Sequence, residues 1–128
     1  MVAALIPALN DKTLEHVLEE ASKAGAAEAA YVIMRLPNEL KTLFKEWLAE
    51  HYPERAEHVI SIVHQLRGGK DNDPRFGTRM TGTGIWAQMI RQRFDKASAK
   101  LGFNRMRFEL DLTQFRRPSA QPGQASLF

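Results

Sequence analysis

The stretch AAYVIMRL, residues 29–36, decides the predicted fold because it is continuously apolar at its centre. Such runs are typical of a parallel strand that is covered on both faces. The run VAALIP, residues 2–7, has the same character, and residues 10–25 between the two runs have the apolar spacing of a helix. The three segments together predict one β-α-β unit.

The chain downstream of this unit predicts three more helices. They begin near Pro37, at Pro53 and after Gly84, and the last one ends at Gly102. Trp47 and Trp86 lie on the apolar stripes of these helices, and we expect both to pack in the core. The following segment MRFELDL, residues 106–112, alternates apolar and charged residues and predicts a half-buried strand or an extended arm.

Two buried strands do not make a sheet, since parallel sheets need several strands with both faces covered. The predicted fold class is therefore an α/β fragment that is mostly helical. We expect residues 1–36 to be the end of a larger α/β structure, residues 37–115 to be a helical region and residues 116–128 to be a flexible tail. The alternative is an oligomer that completes the sheet by edge pairing.

The composition excludes several classes of site. The 128 residues include no cysteine, so this chain cannot form disulfides, thiolate zinc sites or a cysteine-held iron–sulfur cluster. The four histidines show no metal-ligand spacing and no hydrolytic triad is visible, so we predict no catalytic and no metal-binding residue. The sequence shows neither a signal peptide nor an apolar run of about 18 residues, which predicts a cytoplasmic protein without a membrane partner.

The net charge of +3 is unevenly distributed. Residues 1–66 hold 6 Lys/Arg against 10 Asp/Glu, whereas residues 67–128 hold 12 against 5. A basic half is typical of proteins that bind a polyanion such as nucleic acid, and equally of a solvated basic surface.

The basic half begins with RGGKDNDPRFGTRMTGTG, residues 67–84, which holds five of the eight glycines. Residues 77–83 have the glycine spacing of a phosphate-binding P-loop, but Thr83 stands where that loop needs lysine. Residues 82–87 fit the dinucleotide fingerprint without the strand that should precede it. The start of a calcium loop at Asp71 fails because Phe76 stands where the turn needs glycine.

A weaker prediction for this loop survives. Thr83 can cap the following helix, whose free N–H groups attract anions. The residues predicted to contact nucleic acid are Arg67, Lys70, Arg75, Arg79, Thr83, Arg91 and Arg93. The alternative is a connector whose arginines pair with Asp71 and Asp73.

The chain ends in QASLF, residues 124–128, which is similar to the Q-L-S/D-L-F peptide that docks bacterial replication and repair proteins on the sliding clamp. Leu127 and Phe128 would enter an apolar pocket and Gln124 would hydrogen-bond at its rim. Ala125 departs from the usual leucine. The alternative is a tail that folds back on its own domain.

Five stretches of the chain are VAALIPALND, YVIMRLPNEL, FKEWLAEHYPERAEHVI, LRGGKDNDPRFGTRMTGTG and QASLF. Together they resemble the C-terminal third of spore photoproduct lyase-like radical S-adenosylmethionine (SAM) proteins, often labelled DNA repair photolyases. The resemblance implies that residues 2–7 and 29–36 are the last two strands of a partial (β/α) barrel. It also implies a lyase-like radical reaction that depends on SAM and a 4Fe–4S cluster held by C-x3-C-x2-C, which this chain lacks. The residues that would line the SAM pocket are Ile6, Pro7, Arg35 and Leu36.

The predicted function is therefore the C-terminal, truncated part of a radical SAM protein that acts on nucleic acid in a DNA-repair-like reaction. Without the N-terminal portion of the barrel, we expect the chain to hold no cofactor and to be inactive as a radical enzyme. The alternatives are a non-catalytic nucleic-acid-binding module and a segment that docks on the sliding clamp.

Overall fold

A computed structural model describes residues 4–105 and 111–115. This part of the chain contains four α-helices and two single turns of 3-10 helix, Asp11–Thr13 and Leu112–Gln114. The α-helices are α1 Leu14–Lys23, α2 Leu40–His51, α3 Pro53–Leu66 and α4 Gly84–Leu101. No helix in the described ranges is both long and apolar enough to cross a membrane.

The predicted α/β fold class is wrong, because the described residues form no sheet. In the described part of the two apolar runs, residues 4–7 and 29–36, the only strand-like pairing is one parallel bridge, between Leu5 and Ile33. The N–H of Leu5 donates to the carbonyl of Val32 at 2.8 Å, and the N–H of Met34 donates to the carbonyl of Leu5 at 2.9 Å. The N–H of Ile33 donates at 2.8 Å to Met80 in the basic loop. A loop thus occupies the edge where a further strand was expected.

The apolar character of the two runs has a different cause from the one predicted. Leu5 and Ile33 are 2% and 1% exposed, and both belong to a core formed mainly by helices. The other members of this core are Leu14, Leu18, Ile62, Leu66, Ala87, Ile90, Phe94 and Phe103. Continuous apolar sequence therefore reflects burial under α1, α3 and α4, and residues 4–7 and 29–36 are not barrel strands.

The predicted helices are confirmed with small shifts at their ends. Pro53 occupies the first turn of α3, where its missing N–H costs nothing. Gly102 ends α4 in the left-handed conformation, with φ of 81°. α2 begins at Leu40 rather than near Pro37, because Asn38 adopts a positive φ of 49° in the preceding turn.

Helices α1 and α4 pack against each other and are joined by an ion-pair cluster. Arg93 on α4 donates through Nε and Nη2 to the carboxylate of Glu15 at 2.7 and 2.6 Å. Its Nη2 also donates to the carbonyl of Asp11 at 2.8 Å. The hydrogen bonds from Arg93 lower the pKa of Glu15. Arg93 thus stabilises the helix pair.

Helix α2 packs chiefly against α3 and leaves most of its apolar stripe in solvent. Leu48 is fully buried, whereas Leu40, Leu43 and Trp47 are 47%, 55% and 38% exposed. Trp47 stacks between its helix neighbours Phe44 and His51. The prediction that Trp47 packs in the core is therefore wrong. Trp86, in contrast, is half-buried and packs against the core.

Candidate nucleic-acid interface

Arg67 opens the basic loop and is 2% exposed. Its Nη1 donates to the carbonyls of Thr78 and Arg79 at 3.3 and 2.8 Å. Its Nη2 donates to the carbonyls of Ile33 and Met34 at 3.1 and 2.7 Å. One guanidinium thus connects the loop to the extended segment at residues 29–36. Because the side chain is buried, its role is structural rather than the predicted contact with nucleic acid.

Asp73 is the second buried charged residue of the loop, at 5% exposure. Its carboxylate accepts hydrogen bonds from Arg75 Nε and Nη2, both at 2.9 Å, and from the Thr78 hydroxyl at 2.9 Å. These bonds, above all those from Arg75, hold the pKa of Asp73 well below its usual range. Burial lowers the pKa of Arg67, and the charge of Asp73 opposes that shift. The alternative expectation that a loop arginine pairs with Asp73 is confirmed for Arg75.

Asp71 fastens the loop to two helices. Lys45 Nζ on α2 lies 2.8 Å from Asp71 Oδ1, and His64 Nε2 on α3 lies 2.9 Å from the same atom. Hydrogen bonds from Lys45 first and His64 second lower the pKa of Asp71. The partners of Asp71 are thus a lysine and a histidine, not the arginines that the alternative expectation named.

The turn at residues 75–79 presents an aromatic ring to solvent. Phe76 is 90% exposed, and the guanidinium carbon of Arg79 lies 4.6 Å from the centre of its ring. A cation at this distance over the face of an aromatic ring is attracted by the ring quadrupole. Arg75 flanks the ring in sequence and its side chain remains 69% exposed although it is paired with Asp73. The turn therefore combines two arginines with one accessible aromatic side chain.

A pocket of about 280 Å³ lies where the loop runs into α4. Its lining combines backbone at the helix N-terminus with polar side chains, namely Tyr31, Thr81, Gly82, Thr83, Gly84, Ala87, Gln88 and Arg91. Burial raises the pKa of Tyr31, and the charge of Arg91 opposes this rise. The hydroxyl of Tyr31 is buried and has no hydrogen-bond partner among the described residues.

Thr83 stands at the N-cap of α4, but its side chain forms no cap hydrogen bond. Its hydroxyl donates instead to the carbonyl of Leu66 at 3.4 Å. The predicted cap is therefore wrong, and no hydroxyl cap shields the first N–H groups of α4. Gly82 is required beside it, because its φ is +72° and a Cβ there would lie 3.1 Å from Leu66 Cδ2.

The predicted contact residues are thus divided into two groups. Arg67 and Arg93 bind partners inside the protein, and Arg75 is partly engaged by Asp73. Lys70, Arg79 and Arg91 form no ion pair within residues 4–105 and 111–115. The available basic surface is therefore smaller than predicted, and it lies on the 75–79 turn and around the N-terminal pocket of α4.

The residues predicted to bind SAM lose the barrel from which that role was inferred. Pro7 and Leu36 are buried, Ile6 and Arg35 are half-buried, and the N–H of Ile6 donates to the Asn10 side chain at 2.7 Å. The described residues contain no group of three or more His, Asp or Glu placed to hold a metal ion. The chain does not fit an iron–sulfur cluster, because it offers no thiolate.

Some predicted features lie outside the described residues. These are residues 2 and 3 of VAALIP, most of MRFELDL, at residues 106–110, and the whole of residues 116–128, with Gln124, Leu127 and Phe128. Leu112, the last residue of MRFELDL, begins a 3-10 turn rather than continuing a strand.

Two residues of this surface were not predicted from the sequence. Phe76 gave a usable signal, because it is the one aromatic residue of the loop and lies between Arg75 and Arg79. Tyr31 gave none, since only the fold brings it beside residues 81–91.

Comparison with family models, with curated proteins and with solved structures finds no match to this chain. The resemblance to radical SAM proteins therefore stays a prediction, and the site must be argued from its own geometry.

Proposed function

We propose that this chain binds nucleic acid, and that it does so as the C-terminal region of a radical SAM protein of the spore photoproduct lyase-like kind. The contacting surface consists of Lys70, Arg75, Arg79 and Arg91, with the N-terminal backbone of α4. Arg67 and Arg93, which the sequence also suggested, are left out because they bind partners inside the protein.

One observation carries the proposal. Arg79 and Arg91 form no ion pair with a carboxylate among the described residues, while the two acidic groups of the loop, Asp71 and Asp73, are bound to Lys45, His64 and Arg75. The carboxylates of the loop are thus paired, whereas Lys70 and Arg91 are exposed and Arg79 is half-buried. Arginine suits phosphate because its planar guanidinium matches two phosphate oxygens at once.

The test is a salt titration of binding. We expect the 128-residue chain to bind a labelled oligonucleotide at low salt, with an affinity that falls as salt rises because counterions are released. Replacing Lys70, Arg79 and Arg91 together by Ala should reduce the slope of log affinity against log salt by about 2 to 3, since each phosphate contact contributes about 0.7 to 0.9.

The matched control is a variant that removes positive charge elsewhere. Arg55 on α3 is exposed and forms no ion pair in the described part of the chain. Arg55→Ala should leave the salt slope unchanged. Absence of binding by the native chain at low salt, or an effect of Arg55→Ala equal to that of each of the single variants Lys70→Ala, Arg79→Ala and Arg91→Ala, would contradict the proposal.

The radical SAM part of the proposal has a separate test. Since the chain offers no cysteine, we expect the isolated chain to show neither iron–sulfur absorbance nor SAM cleavage. We also expect the DNA upstream of the Met1 codon to encode a C-x3-C-x2-C motif, in frame or displaced by a frameshift. Its absence there would remove the family assignment and leave the nucleic-acid proposal standing.

The terminal peptide QASLF supports a second proposal, docking on the bacterial sliding clamp through Gln124, Leu127 and Phe128. Deletion of residues 124–128 should abolish capture of the chain by immobilised clamp. Ser126→Ala is the control, because this position tolerates different residues in the peptide that QASLF resembles. Capture that survives the deletion would contradict the proposal.

A further inference from the structure

Phe76 is the one aromatic residue of the loop and is 90% exposed, although burial of a Phe side chain normally stabilises a protein by about 1.5–3 kcal/mol. Single exposed apolar residues are common on protein surfaces and need no explanation by themselves. What distinguishes Phe76 is the rigidity of the turn that carries it and the charge that surrounds it.

The turn is fixed on both sides of the ring. On the N-terminal side, the buried carboxylate of Asp73 accepts from the main-chain N–H of Arg75 at 3.1 Å and from its guanidinium at 2.9 Å. On the C-terminal side, Asp73 also binds the Thr78 hydroxyl, and Arg67 binds the carbonyls of Thr78 and Arg79. The ring therefore projects from a turn that is held by hydrogen bonds on both sides. Because the turn is already ordered, the loop loses little conformational entropy when a ligand contacts the ring.

The two faces of the ring have different environments. The guanidinium of Arg79 lies over the ring, with its central carbon 4.6 Å from the ring centre. With a cation on one face and 90% of the residue exposed, the opposite face is accessible to a flat partner. The residue that follows, Gly77, has no side chain that could cover it.

We propose that Phe76 is a stacking platform for an unpaired base, so that the partner of this loop is single-stranded nucleic acid. Arg79 and Arg75 then contact the phosphates on either side of the stacked base. This inference rests on the proposed nucleic-acid binding. A single strand is favoured over a duplex because the faces of bases in a duplex are already covered by neighbouring bases, whereas an unpaired base can stack on an aromatic ring.

Insertion of Phe76 into a membrane surface fits the turn less well. Phe76 is the one large apolar residue between Pro74 and Arg79, and two arginines flank it. Insertion deep enough to bury the ring would carry both guanidinium groups towards hydrocarbon, which is costly. Stacking leaves the same two charges at the level of the phosphates, where they bind.

The experiment compares oligonucleotides of one sequence as single strand and as duplex, at low salt, by fluorescence anisotropy. Phe76→Ala should weaken single-strand binding about 5- to 150-fold, the range that base–aromatic stacking supports, and should change duplex binding less than about twofold. Phe76→Trp should retain single-strand affinity. Its added tryptophan emission, measured against the native chain, should be quenched by the single strand.

The matched control is Leu43→Ala, which removes another exposed apolar side chain, 55% exposed, on α2 and outside the proposed contacting surface. It should leave both affinities within about twofold, since Leu43 offers no π-face for stacking. Thermal unfolding of Phe76→Ala should match that of the native chain, because the side chain that is removed is in solvent.

The outcomes separate this inference from the function on which it rests. Normal binding by Phe76→Ala, together with weak binding by the variant that lacks Lys70, Arg79 and Arg91, would overturn stacking and keep nucleic-acid binding. Equal losses for single strand and duplex would also overturn it. Capture by anionic phospholipid vesicles that depends on Phe76, with unchanged single-strand affinity, would overturn it in favour of a membrane role. Failure of the native chain to bind either oligonucleotide would remove both proposals.

Discussion

Helix α2 and the basic loop at residues 67–84 both differ from the burial that their sequences suggest, and they differ in opposite directions. α2 has a regular apolar stripe, yet Leu43 is 55% exposed. The loop is rich in glycine and charge, yet Arg67 and Asp73 are 2% and 5% exposed. The segment that resembles a core helix lies at the surface, and the segment that resembles a solvated connector has a buried polar interior.

This difference follows from what each segment packs against. α2 contacts chiefly α3, so one edge of its stripe, at Leu48, is covered and the rest has no neighbour. The loop lies between α3, α4 and the extended segment, so its polar groups must find partners when water is removed. Carbonyls at residues 33, 34, 78 and 79 find them in one guanidinium. Burial is therefore decided by the surroundings of a segment rather than by its residue types.

The largest effect should come from removing the buried cation. Arg67→Met should destabilise the protein by about 3 kcal/mol or more, since the carbonyls of Ile33, Met34 and Arg79 lose their donor and each unsatisfied group costs about 1–3 kcal/mol. Urea unfolding followed by circular dichroism measures the change. Arg67→Lys keeps the charge and three donors, so its stability should lie between that of the native chain and that of Arg67→Met. A native midpoint for Arg67→Met would show that the loop does not depend on this residue.

The next effect tests α2 with two leucines that differ only in position. Leu48→Ala should cost about 2–5 kcal/mol because it opens a cavity beside α3. Leu43→Ala should cost about 0.5 kcal/mol or less, as is usual for surface substitutions. The measurement is the free energy of unfolding of each variant, compared with that of the native chain. Similar losses would mean that the stripe of α2 is covered in solution, for instance by another molecule.

A smaller effect should appear on acidification. The pKa of Asp73 is lowered in the folded protein by its bonds to Arg75 and Thr78. The stability that it contributes is therefore present above the ordinary aspartate pKa of about 3.9 and is lost as the pH falls below that value. Asp73→Asn should be less stable than the native chain at pH 7, and the difference should narrow between about pH 4 and pH 2.

Thermal unfolding across this pH range measures the effect. Asp95→Asn, at an exposed position of α4 without an ion pair in the described ranges, is the control and should run parallel to the native chain. The native chain should keep some acid sensitivity from Glu15 and Asp71, whose pKa values are also lowered. A constant difference between Asp73→Asn and the native chain would show that the carboxylate contributes through packing alone.

Much of the helical structure could be predicted because helix signals are local. Pro53 at the start of α3 and Gly102 at the end of α4 act through φ restriction and a left-handed turn, which need no distant partner. The two predicted strands are wrong because an apolar run is not a local signal for a strand. The run around Ile33 is apolar in either a sheet or a helical core, and only its neighbours distinguish the two.

The sequence indicates which segment is the candidate interface, but it does not show which side chains of that segment are accessible. The density of arginine and glycine marks residues 67–84, and charge is visible in any sequence. Which arginine faces solvent depends on contacts that span up to 82 residues, as between Arg93 and Asp11. Arg79 and Arg91 form no ion pair in the described part of the chain, whereas Arg67 and Arg93 bind partners inside the protein.

What the sequence by itself determined is therefore the position of the four helices, the basic character of the second half and the absence of thiol chemistry. These properties depend on single residues or on neighbours within one or two helical turns. The tertiary structure alone decided that the apolar runs form one bridge instead of a sheet, that Trp47 is exposed and that Arg67 is buried. The physical reason is that burial and hydrogen bonding depend on which surfaces meet, and distant parts of the chain supply those surfaces.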